Sequence, residues 1–484
     1  MLQRFEEEGL LLESGVDELI LAHVNKIDEL ISFAKSRDVF IVTKSLVQEY
    51  LGLVNKKVVI ERPVYRAIAS EYSSNLEHIS AYDVEGKSRC TGTVDDFISL
   101  FRDRFRRTVN IFRMQSSKYP IMGSTGLKMG GDCRYIAMVR SKTITKNGHM
   151  IIEAEDEQGV VKVFISNNNE RLKMMYPKLV LDEVVAFDGR YRDPFFYVED
   201  ILWPDIPVNK EKKLIEENLS IAFISDVHVG SKLFLEDKFV KMINWLNGEA
   251  SSEHEIKIAS SIKYIFVAGD LVDGIGVYPN QERELSILDI YEQYDRFLSL
   301  MENIPEYIEI VFIPGNHDAV RRGDPQPSLA KEFIKRSHSN FHFYSSPSYH
   351  KVEGLTLLAY HGNSLDSMIA SISGLSYNEP EKVMIDYLKR RHLSPIYGSN
   401  HIVPERTDYM LIEEVPDIVH MGHIHKNGYA EYRNVSLINS GTWQDVTEYQ
   451  KSQGHVPTPA RLPVYNLHTG SLSLIDFSEQ GVLP

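Results

Sequence analysis

Five short polar clusters in the C-terminal half of the chain each sit at or near the end of an apolar run of strand length. They are Asp226 and His228 in SDVHVG, Asp270 in GDLVDG, Asn316 and His317 in GNHD, His361 in YHG, and His423 and His425 in GHIH. The preceding runs, such as SIAFISD, IKYIFVAGD and YIEIVFIPGNHD, are apolar throughout rather than alternating. That is the pattern of strands buried on both faces. KFVKMINWL, ERELSILDIYEQYDRFLSLM, LAKEFIKR and EKVMIDYLKRR read as helices between them. Strand, loop and helix in alternation predict an α/β sandwich from about residue 219 onward. Ligands in open α/β sheets gather beyond the carboxyl ends of strands, so the five clusters should converge.

Convergence assembles a two-cation site. Asp226 and His228 are two apart, so an extended chain aims both at one metal. The Asp270 carboxylate can bridge two cations, which holds them roughly 3.5–4 Å apart. Asn316 offers a neutral amide oxygen, and His361, His423 and His425 offer imidazoles. Such a mixed set suits two divalent ions, Mn²⁺ first, with Fe²⁺, Zn²⁺ or Mg²⁺ open, better than Ca²⁺. With no Cys in the set, a thiolate-rich structural zinc site is excluded. Two cations polarise a phosphate ester and acidify a bound water. His317, next to a ligand but not needed as one, is placed to protonate the leaving oxygen. Asp273 and Asp318 read as residues that orient the ligands. His420, inside the apolar run DIVHMG, reads as structural. Taken singly, each cluster has a plainer reading, since GNHD suits a turn and a lone histidine is more often a satisfied core residue. Five clusters in this order favour the metal centre.

The rest of the chain reads as separate domains, because 484 residues exceed one ordinary core. Residues 1–55 carry apolar positions at spacings of three and four, which predicts a small helical domain. Residues 56–123 read as a polar linker followed by DDFISLFRDRFRRTVNIFRM. Arg102, Arg104, Arg106, Arg107 and Arg113 make that last stretch a basic amphipathic helix. It would lie near nucleic acid or pair with acidic neighbours. Residues 124–206 hold five strand-like runs with the helical NNNERLKMMYP between the third and fourth, the order of an OB-fold. Its role stays open between nucleic-acid binding and packing. The net charge of −15 argues against coating nucleic acid through bulk charge alone. No apolar run reaches the roughly 18 residues of a membrane span. The N-terminus lacks a signal-peptide layout, and Cys90 and Cys133 give no disulfide framework. A cytoplasmic, reducing compartment is the expectation.

The motifs D-x-H, G-D-x-x-D, G-N-H-D, a single histidine and G-H-x-H, in this order, resemble the calcineurin-like metallophosphoesterase superfamily over roughly residues 219–445. The resemblance makes Asp226, His228, Asp270, Asn316, His361, His423 and His425 the metal ligands and His317 the acid. HDAVRRGDPQP (317–327) and GTWQDVTEYQKSQGHVPTPA (441–460) are similar to segments of the small subunits of archaeal family-D DNA polymerases. That likeness extends over nearly the whole chain. It implies a multidomain α/β protein: a helical N-terminal domain, an OB-fold β-barrel, and an αββα phosphoesterase sandwich over 207–484. It further implies a 3′→5′ exodeoxyribonuclease that proofreads single-stranded DNA 3′ ends, in a heterodimer whose large catalytic subunit polymerises. Arg321 and Arg322 then read as phosphate-backbone contacts, with surface charge pairing as the alternative. The 441–460 segment is expected to form subunit contacts. Two other functions compete. A non-catalytic scaffold has no reason to keep the full ligand set. A stand-alone phosphatase or phosphodiesterase has no need of the OB-fold and N-terminal helices.

Overall fold

The computed structural model describes residues 5, 8–12, 16, 27–37, 39–47, 66–336, 338–478 and 481–483. They belong to two compact units, Met1–Glu61 and Arg62–Pro484. In the first, strand β1 (Leu11–Leu12) pairs in parallel with β2 (Ile41–Val42). Helix α1 (Ile27–Ser36) buries Leu30, Ile31 and Ala34 against Val42 and Val47. The strand pair is absent from the helical reading of residues 1–55, much of which falls outside the described residues.

The second unit opens with β3 (Leu76–His78), α2 (Val94–Arg113) and β4 (Ile121–Met122). Five strands then close a barrel: β5 (Asp132–Ile144), β6 (Met150–Glu155), β7 (Val160–Ile165), β8 (Val184–Arg192) and β9 (Phe195–Leu202). Their order is β5-β6-β7-β9-β8, with β8 returning to β5. Closure depends on the length of β5, whose first half pairs with β8 and whose second half pairs with β6. Every second residue of β6 is buried, and Ile152 and Ala154 join Tyr135, Val163 and Phe187 in the barrel core. Helix α3 (Glu170–Met175) follows the third barrel strand, its start capped by the Asn169 side chain on the Leu172 N–H.

Helix α2 clamps this barrel to the rest of the unit. Val109 and Phe112 pack on Ile136, Met138, Val184 and Ala186 of the barrel. On another face Arg104 is buried and donates from Nε to Asp408 Oδ2 at 2.7 Å and from Nη1 to Pro395 O at 2.8 Å. Arg107 pairs with Glu413 at 2.8 Å and Asp103 at 3.1 Å, and Arg106 with Glu157 at 2.8 Å. So three arginines of the basic helix meet acidic partners within the fold. Burial disfavours charge on Asp408, but His392 and Arg104 hold its carboxyl well below the ordinary carboxylate range. Its stabilisation is therefore complete above the unfolded carboxylate pKa and is lost as pH falls through the lower folded one. Arg104→Ala leaves that carboxylate buried with His392 and the Met410 N–H but no cationic partner, and is expected to cost about 3–5 kcal/mol in urea unfolding at neutral pH. Unchanged stability would mean that the pair is not part of the clamp.

The remainder alternates as the apolar runs predict, through β10 (Ser220–Ile224), α4 (Glu236–Leu246), α5 (Glu253–Ser261), β11 (Ile262–Ala268), α6 (Ile290–Met301), β12 (Glu309–Ile313) and β13 (Phe341–Phe343). It continues with β14 (Ser348–Val352), β15 (Leu355–Ala359), α7 (Leu365–Ser371), α8 (Pro380–Arg390), β16 (Ile418–Met421), β17 (Asn427–Tyr432) and β18 (Val435–Ser440). Last come α9 (Glu448–Gln453), β19 (Arg461–Asn466), β20 (Leu472–Asp476) and β21 (Gly481–Leu483). Two mixed sheets result, ordered β13-β12-β11-β10-β19-β20-β21 and β17-β18-β16-β15-β14-β3. Phe223, Phe266 and Val311 of the first sheet meet Leu357, Ile418 and Ile438 of the second. The far face of the second sheet, through Leu358, Val419 and Leu437, is covered by Val383, Met384 and Tyr387 of α8. Helix α6 covers the far face of the first, with Phe297 against Phe312 at 5.7 Å.

Three segments differ from the sequence reading. The helix expected over ERELSILDIYEQYDRFLSLM begins only at Ile290. There the Asp289 side chain accepts from the Tyr291 and Glu292 N–H groups at 2.8 and 3.1 Å, while Leu285 bridges to Ser231. LAKEFIKR forms a single turn, Lys331–Phe333, instead of a helix. Its side chains are taken up by α6, with Phe333 stacked on Tyr291 at 5.1 Å and Arg336 bonded to Asp295 at 2.7 Å and Glu302 at 3.0 Å. A lone turn without further hydrogen bonds does not repay helix nucleation. The stretch read as polar linker contributes β3, antiparallel to β14 at the edge of the second sheet.

Candidate metal centre

The five clusters follow β10, β11, β12, β15 and β16. The first three strands are neighbours in one sheet and the last two in the other, so their ends share one edge of the sandwich. The backbone turns sharply there. Asp226, His228, Asp270, His423 and His425 have φ of 51°, 53°, 52°, 68° and 58°. The extended Asp226–His228 segment that the spacing predicts is therefore replaced by two left-handed residues. Non-glycine residues in this region cost on the order of 1–3 kcal/mol each and cluster at functional sites. Backbone hydrogen bonds fix them: Asp226 N–H to Gly269 O at 3.0 Å, His228 N–H to Asp270 O at 3.0 Å, and His423 N–H to Asp226 Oδ2 at 2.9 Å.

Close approach needs the glycine of GNHD. A Cβ on Gly315 would lie 2.2 Å from Asp270 Oδ1 and 2.8 Å from His361 Cε1. Gly315→Ala is expected to destabilise the protein by about 1–3 kcal/mol and to weaken Mn²⁺ binding. Thermal melts with and without Mn²⁺ measure both, and an unchanged melting temperature would contradict the crowding argument.

The donor atoms form two adjoining nests. In one, His228 Nε2 lies 3.1 Å from His425 Nε2, and His425 Nε2 lies 3.3 Å from Asp226 Oδ1. In the other, Asn316 Oδ1 lies 3.1 Å from His361 Nε2 and 3.0 Å from His423 Nδ1. Asp270 Oδ2 reaches both, at 3.8 Å from His228 Nε2 and 3.3 Å from His361 Nε2. His228 Nδ1 is bonded to Asp273 Oδ1 at 3.0 Å and His361 Nδ1 to Ala268 O at 2.7 Å. With Nδ1 engaged in this way, Nε2 of each ring faces inward and can bind a cation once its proton is displaced. Asp226 Oδ1 is buried without a hydrogen bond. Acceptors turned toward one another in this way fit divalent cations, and Asp226, His228, His425 and Asp226, Asp270, His361 are sets close enough to hold one.

Charge at the centre is balanced by protons. Burial opposes ionisation of His361, yet Asp270 and Asp226 push its pKa up to about 10. Burial likewise works against the Asp270 carboxylate, but His361 and His317 hold its pKa well below the ordinary range. A cation entering such a set displaces protons from the imidazoles.

Asp226, His228, Asp270, His361 and His425 form a buried floor, while Asn316, His317 and His423 are half-buried at the rim. His317 joins neither nest. Its Nδ1 bonds Asp273 O at 2.8 Å, its N–H donates to Asp270 Oδ1 at 2.9 Å, and its ring stands edge-on to His228 at 4.7 Å. Burial lowers its pKa against the pull of Asp270. Asp273 also accepts from Gln281 Nε2 at 2.9 Å and Gln444 Nε2 at 3.1 Å. Asp318 braces the loops, accepting from Gly315 N–H at 2.8 Å, Leu271 N–H at 3.3 Å and Tyr294 OH at 3.0 Å. Arg321 turns into the fold, donating to Pro325 O at 2.8 Å and Glu405 at 3.0 Å. Arg322 is exposed and bonds Gly276 O at 2.9 Å. His420 is buried, 2.9 Å from Ser440 Oγ.

Residues 219–427, which contain all seven candidate ligands and His317, match the family model of the calcineurin-like phosphoesterases. These enzymes use divalent metals, and phosphoester hydrolysis is the chemistry that such a domain suggests. Over 98% of its length the chain is 38% identical to the DNA polymerase II small subunit of Methanothermobacter thermautotrophicus, 99% of which it covers. The chain belongs to the DNA polymerase II small subunits. The small subunit of Archaeoglobus fulgidus is 40% identical over 88% of this chain and 87% of its own length. That of Methanocaldococcus jannaschii is 40% identical over 83% and 68%. Similarity to the DNA polymerase II small subunits thus extends well beyond the phosphoesterase domain.

Two supports of the centre escape sequence reasoning. Asp366, at the start of α7, holds His423 Nε2 at 2.8 Å, so that Nδ1 faces Asn316. Gln450, in α9 of the 441–460 segment, lies 2.8 Å from His425 Nδ1. Neither stands at a ligand-like spacing; only the fold brings them to the centre.

Proposed function

We propose that this chain is the 3′→5′ exodeoxyribonuclease subunit of a heterodimeric DNA polymerase, joined to a large catalytic subunit and acting on single-stranded DNA 3′ ends. The observation that carries the reading is the pair of adjoining nests with Asp270 between them. Asp226, His228, Asp270 and His425 would hold one cation, and Asp270, Asn316, His361 and His423 the other, with Mn²⁺ the first candidate. When bound, the pair supplies Lewis-acid polarisation of a phosphodiester and of water. His317, its Nδ1–H held by the Asp273 carbonyl, delivers a proton from Nε2 to the leaving 3′ oxygen from its imidazolium form, which it must reach by taking up a proton from solvent before cleavage. Asp273 and Asp366 keep His228 and His423 in the tautomers that expose their metal-facing nitrogens. The barrel's strand order, with α3 after its third strand, supports an OB-fold, and exposed Arg322 offers a phosphate contact at the rim. Purified protein, with and without the large subunit, should shorten a 5′-labelled oligonucleotide from its 3′ end in Mn²⁺ and stop when EDTA is added. An oligonucleotide left intact by both preparations would remove the nuclease reading and leave a scaffold.

A further inference from the structure

The loop after Asp273 is built to present an aromatic ring beside His317. Gly274, at φ 75°, lies so close to the GNHD loop that a Cβ on it would come within 2.2 Å of His317 O. Buried Gln281 ties the loop down, donating from Nε2 to Asp273 O and Oδ2 at 2.8 and 2.9 Å and accepting from Val277 N–H at 2.9 Å. From the other side Arg322 Nη2 donates to Gly276 O at 2.9 Å and Val277 O at 3.2 Å. Between these anchors Ile275 is 49% and Tyr278 37% exposed. Tyr278 does not swing freely, because its hydroxyl donates to Glu284 at 2.9 Å. Its ring centroid lies 6.3 Å from that of His317, at 62° between planes.

A ring held at a fixed angle, exposed, and next to the proton donor is a stacking platform. We propose that Tyr278 stacks on the nucleobase of the nucleotide that carries the leaving oxygen, with Arg322 beside it on that strand's phosphate. The inference rests on reading the centre as one that cuts single-stranded DNA. In 3′→5′ cleavage the proton from His317 goes to the 3′ oxygen of the penultimate nucleotide, so the platform recognises the penultimate base. Stacking on an aromatic ring tolerates any base but requires that one be present. It thus selects for unstacked, single-stranded ends without reading sequence.

The test uses the full chain with its large subunit, Mn²⁺ and two 5′-labelled single strands. One is natural and the other has an abasic tetrahydrofuran residue at the penultimate position. Wild-type protein should remove the terminal nucleotide from the natural strand on the order of tenfold faster. Tyr278→Ala should cut both strands at the abasic rate, while Tyr278→Trp keeps a preference for the natural strand and Tyr278→Phe, without the hydroxyl that bonds Glu284, keeps a reduced one. Tyr278→Ala that retains the wild-type preference, or that slows both strands equally, overturns the proposal. Wild-type protein that cuts neither strand removes the exonuclease reading and this inference with it, a result distinct from the other two.

Discussion

Asp270→Ala is expected to lower phosphodiester hydrolysis by at least about a thousandfold, since two-cation polarisation accounts for several kcal/mol of the barrier. Asp270 lies between the nests, 3.8 Å from His228 Nε2 and 3.3 Å from His361 Nε2. Without it both sets would lose a carboxylate, and the two cations would lose the ligand they are proposed to share. Asp270→Asn retains the shape and removes the charge, and should fail nearly as badly. Calorimetric titration with Mn²⁺ should fall from two ions per chain to at most one, while circular dichroism reports whether the fold survives. A variant that still binds two ions with wild-type affinity would show that Asp270 does not bridge.

His317→Ala should separate chemistry from metal binding. Its side chain belongs to neither nest, so Mn²⁺ stoichiometry and affinity should stay near wild type. Loss of a positioned proton donor typically costs about 10²–10⁴-fold in rate. The penalty should be smaller for a substrate whose leaving group needs no proton, such as a nitrophenolate ester. Degradation of a DNA 3′ end at the wild-type rate by this variant would make another nuclease the source of the activity and leave this chain a scaffold.

The sandwich is legible in the sequence because β10, β11, β15, β16 and β18 are buried on both faces and so lack any alternation that could be read as an edge or an amphipathic helix. The five clusters are legible because they follow such strands. The local path of the chain is not, since a two-residue spacing fits an extended segment and the left-handed turn at Asp226 and His228 equally well. LAKEFIKR carries a helical pattern that serves to clasp α6 instead, because Arg336 and Phe333 find Asp295 and Tyr291 some 40 residues upstream in sequence, 41 and 42 positions away. Asp366 and Gln450 are invisible for the same reason. Their roles come from contacts across 57 and 25 residues, which no local motif encodes. The basic helix shows the opposite case. Its arginines are plain in the sequence, but only the fold reveals that Arg104 and Arg107 meet acids of the sandwich.

The left-handed backbone at Asp226, His228, Asp270, His423 and His425 sets selection for catalysis against selection for stability. Glycine reaches that conformation without a Cβ clash, so a glycine substitution at any of these positions would erase a ligand and relieve local strain together. That relief is set against the hydrogen bonds the side chains make, such as Asp226 Oδ2 to the His423 N–H and Asp270 Oδ1 to the His317 N–H.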